Sequence, residues 1–188
     1  SAVLCDLDAL DTLPDREYRS GLGEMAKYAF LGVGDLATLS MEDAVAACVA
    51  CKAAVVSADE RDQGRRALLN YGHTLAHALE TSGRYELRHG EAVAVGLVFA
   101  AHVAARLGRI GPPRVAEHEG LVAGYGLPAR LPEGADPEDL LEVMARDKKR
   151  LRSGDAHLTM VLDGPGGLEV VEDVPRPEAR AALDEVAA

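Results

Sequence analysis

Gly90-Glu91-Ala92-Val93-Ala94-Val95-Gly96-Leu97-Val98-Phe99-Ala100-Ala101 opens a stretch whose helical pattern continues to Leu107. A surface helix carries one apolar stripe. Here apolar residues occupy nearly every face of the turn, which marks a helix at the centre of its domain. Its reading sets the fold class as mainly α.

The neighbouring segments support this. Upstream, apolar residues recur at helical spacing from Arg65 to Ser82 (Leu68, Leu69, Leu75, Leu79), with Gly83 as a stop, and predict one helix over 65–82. Ser40-Met41-Glu42-Asp43 has capping-box spacing and heads an Ala-rich helix to about Ala58. Asp15, after Pro14, reads as the cap of a first helix over 16–31, ended by Gly32 or Gly34. Residues 2–7 read as a buried strand with no hairpin partner nearby, so the chain reads as cut into rather than begun. Downstream, Gly111-Pro112-Pro113 opens a helix to about Tyr125, and Asp136-Pro137-Glu138 caps one to about Arg150. The period then changes. Residues 158–162 and 168–171, joined by Asp163-Gly164-Pro165-Gly166-Gly167, read as a β-hairpin, and 175–188 as a last helix. The expected fold is multi-helical with one small hairpin near the C-terminus.

Composition narrows the function classes. The chain has 188 residues, 48% of them hydrophobic and 27% charged, enough for a core without disulfide or metal staples. A net charge of −11 argues against nucleic acid and anionic membrane surfaces, and 4% aromatics with no Trp argues against base-stacking platforms. No uncharged apolar run reaches the roughly 18 residues of a membrane span, and residues 1–8 lack the basic and apolar regions of a signal peptide. Three cysteines cannot all pair, which fits free thiols in a reducing cytoplasm. Cys48 and Cys51 form a C-x-x-C inside the Ala-rich helix, without the second pair or strand-to-helix setting of a zinc or redox motif, and read as packing residues. No glycine-rich nucleotide motif occurs.

The histidines are grouped. His73 and His77 share a helix face, and His89 stands at the start of the next helix. With one more ligand such a group makes a three-ligand metal site with an open position; alone, helical histidines are as well read as satisfied core or surface groups. Gly72 and Gly90 beside them suggest close backbone approach. Arg66 and Asn70 precede His73 on nearly the same face of the expected helix. Glu24 and Lys27 are spaced i, i+3, in the first instance a surface ion pair. Lys52 is a lone cation in an apolar neighbourhood. Arg146-Asp147-Lys148-Lys149-Arg150 is a solvated helix end or a phosphate contact.

Several blocks, taken in order, resemble 3-dehydroquinate synthase over nearly the whole chain. They are Asp6-Leu7-Asp8 with Leu10-Asp11-Thr12-Leu13-Pro14, Ser20-Gly21-Leu22-Gly23-Glu24-Met25-Ala26-Lys27-Tyr28, Cys51-Lys52-Ala53-Ala54-Val55-Val56 with Asp59-Glu60-Arg61, Arg66 through His77, Arg88-His89-Gly90-Glu91-Ala92-Val93, and Arg146-Asp147-Lys148-Lys149. The L-N-x-G-H-T-x-x-H and H-G-E-A-V blocks are the most specific.

The resemblance implies the helical C-terminal domain of a two-domain enzyme. Residues 1–14 would be strand and linker from an NAD-binding α/β domain absent here, and 15–188 the metal- and substrate-binding domain. It implies that Glu24, His73 and His89 bind a divalent metal, Zn2+ or Co2+. Lys27, Lys52, Arg66, Asn70, His77 and one of Lys148 and Lys149, preferably Lys148, would contact substrate, and Leu10 and Thr12 would touch NAD. The implied substrate is a sugar acid phosphate, 3-deoxy-arabino-heptulosonate 7-phosphate, whose phosphate and carboxylate call for such cations. The implied reaction is transient oxidation by NAD, phosphate elimination, re-reduction and intramolecular aldol closure to 3-dehydroquinate, in a cytoplasmic homodimer of the shikimate pathway. Two departures stand out. Asp62 replaces a Glu common in the family, and the stretch between Glu24 and Lys52 is short. The alternatives are a cyclase of the aminodehydroquinate or valiolone type, a metal-dependent polyol dehydrogenase, or a non-catalytic metal-binding helical domain.

Overall fold

A computed structural model describes residues 4–60, 64–83, 85–147 and 157–187. Its centre is helix α4, His89–Arg106, buried without a break from Ala92 to Ala101. Around α4 pack α1 (Asp15–Tyr28), α3 (His73–Thr81), α5 (Pro112–Gly124), α7 (Arg176–Glu185) and strand β1 (His157–Leu162). Helix α6 (Pro137–Asp147) closes against α3 and α7. The principal core combines Leu97 and Phe99 of α4 with Leu75 and Leu79 of α3, Leu140 and Met144 of α6, and Leu162 and Leu183, all at most 2% exposed. Each such side chain contributes roughly 1.5–3 kcal/mol by leaving water, far more than helix propensity supplies. No helix among the described residues is long and apolar enough to cross a membrane.

The two strands β1 and β2 (Glu169–Pro175) form an antiparallel hairpin, with an irregularity between Leu158 and Met160. Helix α2 (Met41–Ala58) begins at Ser40, whose hydroxyl accepts from the Asp43 amide at 3.1 Å. It buries only Ala44 and Val55. Cys48 and Cys51 are free thiols packed against Tyr28, Leu36 and Ala44, in keeping with a packing role. Helix α1 runs into a π-turn over Ala29–Val33, where Gly32 has a φ of 94°.

Two segments differ from the sequence reading. The helix expected over 65–82 is broken: Arg65–Asn70 is a 3-10 helix, the chain turns at Tyr71 and Gly72, and α3 starts at His73. Gly72 has a φ of 81°, and a Cβ there would meet the Val93 carbonyl oxygen at 3.0 Å. Contact with α4 therefore imposes a turn that local periodicity does not signal. Arg66 and Asn70 consequently do not share a helix face with His73. At the N-terminus, Leu4–Asp6 form no strand, and Leu7–Thr12 is a 3-10 helix whose first turn is capped by Asp6, its carboxylate accepting from the Asp8 amide at 3.1 Å. Asp and Thr in this run favour such local side-chain bonds over extended pairing.

Candidate metal centre

Three close backbone approaches build the site. A Cβ at Gly23 would lie 2.1 Å from the Gly90 carbonyl oxygen, one at Gly90 would lie 1.7 Å from the Ser20 carbonyl oxygen, and one at Gly96 would lie 1.9 Å from the Gly72 carbonyl oxygen. No residue but glycine fits these crossings of α1, α4 and the turn before α3. Each crossing places a polar residue beside it: Glu24 follows Gly23, His73 follows Gly72, and His89 precedes Gly90. A further bond, from the Gly90 amide to the Ser20 hydroxyl at 3.1 Å, ties α1 to the start of α4.

The result is convergence. One ligand atom from each of Glu24, His73 and His89 lies within 4.8 Å of the others, the one such group of three among the described residues. Glu24 Oε1 stands 3.3 Å from His73 Nε2 and 3.0 Å from His89 Nε2. The atoms facing away are held by other groups. Glu24 Oε2 accepts from Lys27 Nζ at 2.8 Å. His73 Nδ1 lies 3.1 Å from the Tyr71 carbonyl oxygen, and His89 Nδ1 lies 2.8 Å from Glu80 Oε1. Burial pushes the Glu24 carboxyl up, but the hydrogen bond to His73 and the charge of Lys27 outweigh it and hold the group well below the usual carboxylate range. For His89, partial burial disfavours the charged ring, while Glu80 and then Glu24 pull the other way and win, so its pKa is raised. A donor set of two imidazoles and one carboxylate, with the outward atoms hydrogen-bonded, fits a divalent ion and leaves coordination positions open.

The other sequence-predicted residues are distributed unevenly. Lys27 is 4% exposed and bonded to Glu24, so the pair is no exposed surface bridge, and in this arrangement the lysine serves the carboxylate rather than an open pocket. His77, one turn after His73, places its ring 5.6 Å from that of His73 and lies outside the ligand cluster. It lines a cleft of about 260 Å³ with Thr74, Thr81 and Arg146. Lys52 is exposed on α2, and Arg66 and Asn70 are exposed on the 3-10 helix, where the Arg66 amide donates to Asp59 at 3.0 Å. Leu10 and Thr12 lie on the N-terminal 3-10 helix, with the Thr12 hydroxyl donating to the Ala9 carbonyl at 2.9 Å. Lys148, Lys149 and Asp62 fall outside the described residues.

Sequence reasoning passed over Glu80, Tyr71 and His118. Tyr71, wholly buried, joins its hydroxyl to His118 Nε2 at 2.8 Å, and His118 Nδ1 meets the Arg114 carbonyl at 2.8 Å. The His118 ring stacks on Phe30 with centroids 3.7 Å apart. Burial drives its pKa down to about 4. Only its i, i+3 spacing from His77 on the same helix hints at Glu80 in the sequence.

A helical domain with a bis-histidine, single-carboxylate cluster is the class that fold and site define. Residues 21–150 match the family described as 3-dehydroquinate synthase C-terminal, and the chain belongs to that family. It is 52% identical over 184 residues, 98% of its length, to a protein of Amycolatopsis mediterranei (strain S699) provisionally named an aminodehydroquinate synthase, 51% of which is covered. It is 36% identical over 199 residues, again 98% of its length, to the 3-dehydroquinate synthase of Dehalococcoides mccartyi (strain CBDB1), 54% of which is covered. The chain thus spans about half the length of the curated relatives it matches. A crystal structure of 2-deoxy-scyllo-inosose synthase, complexed with carbaglucose-6-phosphate, NAD+ and Co2+, shares the fold with a TM-score of 0.80 at 23% identity, over 96% of this chain and 54% of that one.

Proposed function

We propose that the chain is the metal- and substrate-binding part of a sugar phosphate cyclase that converts 3-deoxy-arabino-heptulosonate 7-phosphate to 3-dehydroquinate and phosphate, with NAD and a divalent metal, Zn2+ or Co2+, as cofactors. The observation that carries this reading is the convergence of Glu24, His73 and His89 within 4.8 Å in a chain of this family. A divalent ion held there supplies Lewis-acid polarisation of a substrate oxygen.

The chain's own residues do the positioning. Lys27 neutralises and orients Glu24, leaving Oε1 toward the histidines. His73 and His89 are the first residues of α3 and α4, so two helix amino ends, each with partial positive charge, stand beside an anionic substrate. His77 and Arg146, facing the neighbouring cleft, suit polar and anionic groups of that substrate. Lys52, Arg66 and Asn70 are assigned to substrate contact through the family motif, as is Lys148. Leu10 and Thr12 are assigned to NAD contact through the family motif, and the rest of its site is assigned to the length of the relatives that this chain does not span. The 188 residues alone are expected to show no synthase turnover. The free thiols are consistent with a reducing cytoplasm.

The 52% identity to the provisional aminodehydroquinate synthase favours a second reading, the same ring closure on an amino analogue of the substrate. A product assay with the complete protein decides. Turnover of the heptulosonate phosphate supports the first reading, and turnover of the amino analogue alone supports the second. Turnover of sedoheptulose 7-phosphate and of neither acid would remove both.

A further inference from the structure

Glu80 lies in the last turn of α3, and His89 opens α4, which packs against it. The two side chains meet across that helix pair, Glu80 Oε1 to His89 Nδ1 at 2.8 Å. A carboxylate at one ring nitrogen holds the remaining proton and fixes the plane of the ring when an ion is bound at the other. The other nitrogen, Nε2, is the atom aimed at Glu24 Oε1, 3.0 Å away. The two histidines of the cluster are otherwise held differently. His73 has a side chain 12% exposed and is fixed by packing and the Tyr71 carbonyl, whereas the His89 side chain is 46% exposed and little packing restrains its rotation.

We propose that Glu80 is a positioning residue that sets the tautomer and ring orientation of His89 for metal binding. This rests on the reading of Glu24, His73 and His89 as a metal centre. Glu80 lies outside the group of three candidate ligands and reaches it through His89. The start of α4 is anchored separately. Arg16 forks onto Glu91 at 3.0 and 2.8 Å, and the Arg88 amide donates to Glu91 at 2.8 Å. Loss of Glu80 therefore leaves the start of α4 in place and frees only the ring.

The test compares the wild-type 188-residue chain with Glu80→Ala and Glu80→Gln. Zinc affinity is read by competition with a chromophoric chelator, and the ring nitrogen through which His89 binds zinc by long-range 1H–15N NMR of the loaded chains. Glu80→Ala is expected to weaken zinc binding about 10- to 100-fold and to leave His89 free to bind zinc through either ring nitrogen. Glu80→Gln, whose amide oxygen accepts the same bond, restores most of both. Unchanged affinity and an unchanged zinc-bound ring nitrogen in Glu80→Ala would overturn the proposal, as would a loss in Glu80→Gln equal to that in Glu80→Ala. A wild-type chain that takes up no zinc would instead overturn the metal centre itself.

Discussion

The chemistry of single residues is set by what each one faces. Lys27 is a buried cation whose charge is tolerated because Glu24 lies 2.8 Å away, and the same contact fixes which carboxylate oxygen meets the histidines. The i, i+3 spacing of the pair is visible in the sequence, but its burial is not, since an exposed bridge has the same spacing. His118 makes the opposite case of a titratable group kept neutral. It is wholly buried, with Asp163 of the hairpin turn, Arg114 and Glu117 of α5, and Tyr71 around it. Burial holds its pKa near 4 in the fold, against 6.5 for the free side chain. Between these values the unfolded chain binds the extra proton, so the stability His118 contributes is full above about pH 6.5 and declines as pH falls toward 4. Urea unfolding is expected to show the wild type losing about 3 kcal/mol more than His118→Gln between pH 7 and pH 4. Parallel pH curves for the two chains would contradict this.

At the scale of elements, the site depends on how closely helices approach. Gly90→Ala would place a Cβ against the Ser20 backbone, where no flexible side chain can yield, so α1 must move off α4 and carry Glu24 away from His89. The expected outcome is a loss of about 1–3 kcal/mol or more together with loss of zinc uptake, read by thermal unfolding and metal analysis. Gly21→Ala, with nothing within 4 Å, is the control and should gain up to about 1 kcal/mol from helix propensity. Equal stability and zinc content in Gly90→Ala and the wild type would disprove the positioning role of this crossing. The elements themselves were largely legible. The all-round apolar pattern of α4, the Ser40 cap of α2, the glycine stop after α1 and the period-two run of the hairpin each carry a local signal. The break at Tyr71 and Gly72 does not, because Leu68, Leu69, Leu75 and Leu79 continue the helical spacing through a turn that contact with α4 imposes. The bond from Glu80 to His89 likewise exists only once α3 and α4 are packed together. The three candidate ligands, which the structure brings within 4.8 Å, could be picked out because motif blocks carry them, while Tyr71 and His118 act through contacts that no spacing reports and Glu80 has only its i, i+3 spacing from His77.

Over the whole molecule, charge and architecture work at different ranges. The chain carries −11 overall, yet its cluster region presents His77, Arg146 and the amino ends of α3 and α4, so the proposed attraction of a small anion would be local while the global field disfavours polyanions. The three candidate ligands come from three elements, α1, α3 and α4, and each sits beside a glycine crossing, so the cluster is a product of the assembled core and no single helix can form it. The proposed function rests on that centre. It can be seen directly in a crystal structure of the chain grown with zinc, with anomalous data collected at the zinc edge. One anomalous peak is expected about 2.0–2.2 Å from His73 Nε2, His89 Nε2 and a Glu24 carboxylate oxygen, absent in His73→Ala. A zinc-loaded crystal with no peak among these three side chains, or a peak that survives in His73→Ala, would contradict the assignment of the centre.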